Sequence, residues 1–218
     1  MKPRDVFVTG GTGYIGGRLI PALLSRGHSV RALARAGSAG RVPKGASAVV
    51  GNALDADSVV SVLQPGDTVV HLVGTPHPAP SKAKEFREVD LPSVRAAVSA
   101  ARRAGASHFV YVSVAQPAPV MRAFAEVRAE GEKAIGDAGL TATVLRPWYV
   151  LGPGHRWPLL LVPLYGLAGL FPSLRDGARR LGLVTLRQMV SALVRAVEDP
   201  PARGTLRIVD VPAIRRSG

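Results

Sequence analysis

The residues best placed to do chemistry open the chain. Residues 9–17 read TGGTGYIGG. Within them Gly11-Thr12-Gly13-Tyr14-Ile15-Gly16 fits G-x-G-x-x-G, and Gly10, Gly13 and Gly16 also fall at three-residue intervals. Glycines suit such a turn for physical reasons. The chain must leave a strand sharply, bring bare backbone against a pyrophosphate and let a helix pack closely on a sheet. The amino terminus of that helix then offers N–H groups and a partial positive charge to phosphate oxygens. The motif carries weight only in context. Here it follows an apolar run (DVFVT, residues 5–9) and opens an amphipathic one, as a dinucleotide site requires.

The second strand of such a unit selects between nicotinamide dinucleotides. An NAD site wants a carboxylate about 20 residues on, to hold the ribose 2′-hydroxyl. This chain reads VRALARAGSAGR there, and no acid occurs between Asp5 and Asp55. Arg31, Arg35 and Arg41 are available instead. A guanidinium suits a 2′-phosphate, and a missing carboxylate removes the repulsion that would reject it. The expectation is NADP(H), with Arg35 as the 2′-phosphate contact and Arg41 as a solvated surface residue.

Other chemistries are excluded or thin. With no cysteine there is no disulfide scaffold, thiolate metal site or thiol nucleophile. No G-x-S-x-G elbow and no metal-ligand spacing occurs. Tyr111, Ser113 and Tyr149 remain as hydroxyl-bearing candidates. Tyr111 also reads as a core residue and Tyr149 as a lid residue. His71 falls mid-strand and reads as packed, while His77 and His155 sit in Pro/Gly-rich loops. Glu126, Glu130 and Glu132 share one helix, where charges form a solvated face.

These residues need a scaffold, and the chain alternates strand-like with helix-like segments. That alternation predicts an α/β fold, a doubly wound, mostly parallel Rossmann sheet with helices on both faces. Strands are expected at 5–9, 29–34, 46–50, 67–73, 107–114, 140–145, 181–185 and 206–211. Helices are expected at 14–26 (kinked at Pro21), 55–63, 84–104, 120–138 and 186–198. No internal repeat or linker divides the 218 residues. One domain is expected, with residues 147–185 as a small C-terminal cap and substrate segment.

The formal net charge is +13, from 28 basic and 15 acidic residues. Between Thr141 and Val197 seven arginines (146, 156, 175, 179, 180, 187 and 195) face the single acid Asp176. Such an excess fits anionic partners, although an Arg- and Ala-rich composition also follows from codon bias. Basic residues are not interleaved with aromatics, so nucleic acid is the weakest option. The most apolar run, WPLLLVPLYGLAGLF at 157–171, falls short of the roughly 18 residues a membrane span needs and is broken by prolines. It reads as a buried or interfacial helix, with peripheral membrane contact open through its flanking arginines. The start of the chain shows no apolar export segment, and a cytoplasmic protein is expected.

With these residues in hand, the chain resembles the extended or atypical short-chain dehydrogenase/reductases, close to NmrA-like and complex I accessory-subunit-like members. The resemblance runs from residue 5 to about residue 211 through TGGTGYIGGRLIPALLSRGHSVRALAR, VVGNALD, DTVVHLVG, VDLPSVRAAVSAARRAGASHFVYVSV and GLTATVLRPWYVLGPG. It implies that Asn52, where such proteins carry Asp, and Ala53 contact the adenine. It implies that Leu72, Val73 and Gly74 flank the adenosine ribose, and that Pro147, Trp148 and Tyr149 lie along the nicotinamide. The family's chemistry uses Ser, Tyr, Lys and often Asn. Those positions fall here on Ser113, Phe124, Arg128 and Asp90, so only the serine remains in kind.

A phenyl ring has no proton to give, so hydride transfer to a carbonyl loses its usual general acid. Arg128 could still hold the ribose, but its guanidinium does not shuttle protons. The expected catalytic set is therefore Ser113, Tyr149 as substitute donor and Arg128. Two functions follow: an NADP(H)-dependent oxidoreductase acting on a small carbonyl or quinone-like substrate, and a non-catalytic NADP(H)-binding regulator or assembly factor. The resemblance also implies pairing into a homodimer through helices.

Overall fold

Short apolar runs bounded by glycine and polar turns become parallel strands, the central ones covered on both faces and the two edge strands largely exposed. The computed structural model describes residues 2–118, 120–153 and 181–218. Seven strands form one sheet: β1 (Asp5–Thr9), β2 (Ser29–Ala34), β3 (Ser47–Val50), β4 (Thr68–His71), β5 (His108–Val112), β6 (Ala142–Leu145) and β9 (Leu206–Val209). Their order is β3-β2-β1-β4-β5-β6-β9, and every neighbouring pair is parallel. The winding reverses between β1 and β4. This is a doubly wound Rossmann sheet, as expected, and the reversal opens a crevice beyond the carboxyl ends of the strands.

Alternate residues of each strand face opposite helical layers. Val6 and Val8 of β1 face α1 (Gly16–Ser25) and α6 (Leu186–Glu198), packing with Leu19, Ile20, Leu23, Met189 and Leu193. Phe7 faces the other way, into a cluster with Val69, Phe109, Val94, Val127 and Ile135. That layer is made by α2 (Ala56–Val60), α4 (Leu91–Ala104) and α5 (Arg122–Asp137). Tyr111 on β5 meets α5 at Gly131, where an added Cβ would lie 2.8 Å from the Tyr111 hydroxyl. The missing side chain lets α5 settle close to the sheet.

Three elements differ from expectation. The helix foreseen over 84–104 arrives in pieces: α3 (Ala83–Glu85), a π turn (Phe86–Asp90) and then α4. The Leu91 N–H reaches back to the Phe86 carbonyl, and Pro92, which has no amide hydrogen, follows directly. The last strand stops at Val209. Asp210 instead accepts the Ala213 N–H at 2.9 Å and caps a helix not foreseen, α7 (Val211–Arg215), with Pro212 in its first turn. Finally, α1 starts at Gly16 rather than at 14 and runs through Pro21 unbroken.

Of the expected cap, two parallel strands are described, β7 (Tyr149–Leu151) and β8 (Leu183–Thr185). The apolar run at 157–171, His155 and the arginines at 156, 175, 179 and 180 lie outside the described residues. Among the described residues no helix is long and apolar enough to cross a membrane.

Candidate functional site

The crevice is built first by the glycine turn. Gly10 has φ +75°, and a Cβ there would lie 2.8 Å from the Leu72 carbonyl carbon. A Cβ at Gly16 would lie 2.5 Å from the Gly10 oxygen and 2.7 Å from the Gly11 Cα. The Gly13 N–H closes the turn on the Gly10 carbonyl at 3.0 Å. No side chain caps α1 and its first turn holds no acid, so the helix end is left to an anion. A backbone cradle that any side chain would fill fits a diphosphate. Thr12, Tyr14 and Ile15 complete the loop. Arg18 lies over the Tyr14 ring at 5.6 Å, and the Tyr14 hydroxyl abuts Gly152 beyond β7.

At the adenosine side, Arg35 is exposed just past β2, and its carbonyl accepts the Ser38 N–H at 2.8 Å. Arg31 is committed elsewhere: it donates to Asp67 Oδ2 at 2.5 Å and to the Val62 carbonyl at 2.6 Å. Asn52 is exposed at the end of the neighbouring strand, its Oδ1 accepting the Leu54 N–H at 3.0 Å, with Ala53 half-buried beside it. The Leu72 N–H donates to the Thr9 carbonyl at 3.0 Å, which carries Leu72, Val73 and Gly74 past the glycine turn. Beneath them His71 is fully buried between Thr9 Oγ1 at 2.8 Å and Ser93 Oγ at 3.3 Å. Burial, reinforced by the Arg128 charge, pushes the His71 pKa down to about 3, so the ring is a neutral core residue.

At the other side, Arg128 is buried on the inner face of α5. Its Nη2 donates to Asp90 Oδ2 at 3.1 Å, and its Nη1 to the Val112 carbonyl at 3.1 Å and the Tyr111 hydroxyl at 3.4 Å. The Thr75 N–H and hydroxyl donate to Asp90 Oδ1 at 2.6 and 2.9 Å. The guanidinium also covers Gly74, where a Cβ would strike it, and lies 4.9 Å from the centre of the Phe124 ring. Phe124 meets Phe86 edge-on at 5.0 Å. Tyr111 is fully buried and burial pushes its phenol pKa up, so it is a core residue.

Ser113, one residue past β5, faces α5 as Tyr111 does. Its hydroxyl donates to Glu132 Oε1. That carboxylate is not on a solvated face, and this corrects the expectation. Glu132 is buried, and it accepts Arg146 Nε at 3.0 Å, Arg146 Nη2 at 2.5 Å and the Gln116 amide at 3.2 Å. The helical period holds the clue: Glu132 is about 200° around α5 from Glu130, which pairs outside with Arg87 and Arg95. Pro147 is buried, its carbonyl accepting the Ala115 N–H at 2.9 Å. Trp148 and Tyr149 follow with rings 5.2 Å apart, Tyr149 half-buried on β7. The structure thus brings Ser113, Phe124, Arg128 and Asp90 around the inner face of α5 and puts Tyr149 on the smaller sheet. Among the described residues no group of acidic or histidine side chains could hold a metal.

A protein-family profile described as NAD(P)H-binding matches residues 10–154, from the glycine turn to just past β7. The chain belongs to that family. It is an atypical short-chain dehydrogenase/reductase, and a nicotinamide dinucleotide is its cofactor class. Similar curated proteins include a 3-diazoavenalumate denitrifying reductase of a Streptomyces species, 32% identical over 235 residues, covering 94% of this chain and 75% of that protein. Another is a ceramide reductase of Caulobacter vibrioides, 28% identical over 218 residues, covering 98% of this chain and 66% of that protein. Among solved structures, a short-chain dehydrogenase/reductase superfamily protein of Agrobacterium tumefaciens with bound NAD superposes with a TM-score of 0.67. It is 19% identical and covers 98% of this chain and 81% of that chain, a likeness of fold.

Proposed function

We propose that this family member is an NADP(H)-dependent reductase of a small carbonyl or quinone-like acceptor, working best on acceptors that stabilise their own negative charge. When bound, NADPH supplies the hydride. The chain's residues bind and orient. Gly10, Gly11, Gly13 and Gly16 cradle the diphosphate, and exposed Arg35 takes the 2′-phosphate, since Arg31 is occupied by Asp67. Asn52, Ala53 and Leu72 to Gly74 border the adenosine, while Pro147, Trp148 and Tyr149 border the nicotinamide.

One observation carries this reading. The ring over Arg128 is Phe124, so the position of the usual proton donor offers only a hydrocarbon edge. A simple ketone reduced there leaves an unprotonated alkoxide, whereas a quinone leaves a delocalised anion that water can protonate. The name of the Streptomyces relative, which takes a diazo compound, is consistent with an acceptor other than a simple ketone. The test is loss of NADPH absorbance with a small para-quinone and with a small aldehyde, against heat-unfolded protein. Quinone turnover well above aldehyde turnover is expected; equal rates overturn the preference.

A second reading has its own support. Ser113 and Arg128 are both committed to internal partners, Glu132 and Asp90. A non-catalytic NADP(H)-binding regulator or assembly factor would show that, and tight NADPH binding with turnover of neither acceptor would favour it.

A further inference from the structure

Glu132 was not among the residues expected at the site, yet three side chains from two separate segments converge on it. Ser113 stands at the carboxyl end of β5, Gln116 in the loop that follows, and Arg146 at the carboxyl end of β6. Glu132 Oε1 receives the Ser113 hydroxyl, the Gln116 amide and Arg146 Nε, and Oε2 receives Arg146 Nη2, so four donors from inside the protein take up most of the carboxylate. It acts through the groups it holds.

Those groups have a definite place in the crevice. The sheet reverses between β1 and β4, so a dinucleotide lying across it sets one half over β2 and β3, where Arg35 is. The other half lies over the ends of β4, β5 and β6. Two of those ends are tied to one carboxylate, and the Ala115 N–H to Pro147 carbonyl bond ties them again. We infer that Glu132 is the positioning residue for the nicotinamide half of the site, holding the segments after β5 and β6 at a fixed spacing. A side chain with one acceptor oxygen cannot hold a bidentate guanidinium and a hydroxyl together, and charge-assisted bonds are roughly twice as strong as neutral ones.

The inference rests on the NADP(H) reading, and calorimetry with two probes separates them. Adenosine 2′,5′-bisphosphate carries the 2′-phosphate and one 5′-phosphate but no nicotinamide; NADPH carries both halves. In Glu132→Gln and in Arg146→Lys, adenosine bisphosphate affinity should stay within about twofold of the parent while NADPH weakens about tenfold. Parallel loss of both ligands, no loss of either, or unfolding of both variants by circular dichroism overturns the positioning role. A parent protein that binds neither probe overturns the NADP(H) reading, and this inference with it.

Discussion

Arg128 Nη2 stands 3.1 Å from Asp90 Oδ2, an ion pair whose two side chains are at most 9% exposed. An arginine and an aspartate, the longer cation and a carboxylate, stand where the resemblance leads one to expect a lysine and an asparagine. The guanidinium therefore faces inward to a carboxylate that Thr75 also holds twice. Removing one member of a buried pair leaves an uncompensated charge. Arg128→Met should lower stability by about 3–5 kcal/mol. Asp90→Asn keeps one acceptor oxygen but leaves the buried guanidinium without its counter-charge, and should lower it by about 3–5 kcal/mol as well. Urea denaturation followed by circular dichroism measures both, and equal midpoints for all three proteins would refute the argument.

Phe124→Tyr is the complementary change. It puts a phenol beside the Arg128 guanidinium, whose charge favours the phenolate and so eases proton release. Aldehyde reduction should rise about 10²-fold or more, the scale of a positioned general acid. Quinone reduction should change little. A variant with unaltered aldehyde turnover would show that Phe124 does not border the reacting atoms.

Arg35→Asp tests the adenosine end. The substitution restores the carboxylate that an NAD site uses and sets a negative charge against the 2′-phosphate. NADPH should weaken by about a hundredfold and NADH should gain, inverting the preference; charge-assisted contacts to phosphate set that scale. Fluorescence titration with both nucleotides reads the ratio directly.

Two buried histidines give a pH signature. Burial lowers the pKa of His71 to about 3 and that of His108 to about 4, the latter helped by Arg207 and Arg4. Above pH 6.5 the ring is neutral in both folded and unfolded chains and contributes no slope. Below it the unfolded chain takes up protons that the folded one refuses, so stability falls with falling pH. Each histidine should contribute about 1.4 kcal/mol per pH unit, His108 down to about pH 4 and His71 down to about pH 3. Urea midpoints between pH 7 and 4 should steepen accordingly. His108→Gln should remove its share, although the Thr143 contact at 3.0 Å goes with it.

Much of this was legible in the amino-acid sequence. The glycine turn and the central strands stand out because parallel strands buried on both faces are nearly continuous apolar runs, as DVFVT and FVYV are, and the exposed edge strand β3 still shows as a short β-branched run. The π turn was not legible, because Pro92 signals only that a helix starts near it and not what precedes it. Asp90 is drawn in by Thr75 and Arg128, partners far away in the chain. Glu132 was misread for a simpler reason: three glutamates on one helix were grouped by proximity in sequence, while the helical period sets Glu132 opposite Glu130. The short α7 announced itself in Asp210 and Pro212, but an apolar IVDV run masked it as strand.

The missing side chain at Gly131 sets a depth. Because the Tyr111 hydroxyl fills the room a methyl would need, the distance between α5 and the sheet is governed by a single absent carbon. Arg128 and Glu132 ride on that helix, three residues before and one after. Thickening the chain at 131 would lift both anchors away from β5 at once, turning a local change of size into a coordinated withdrawal of the whole inner wall.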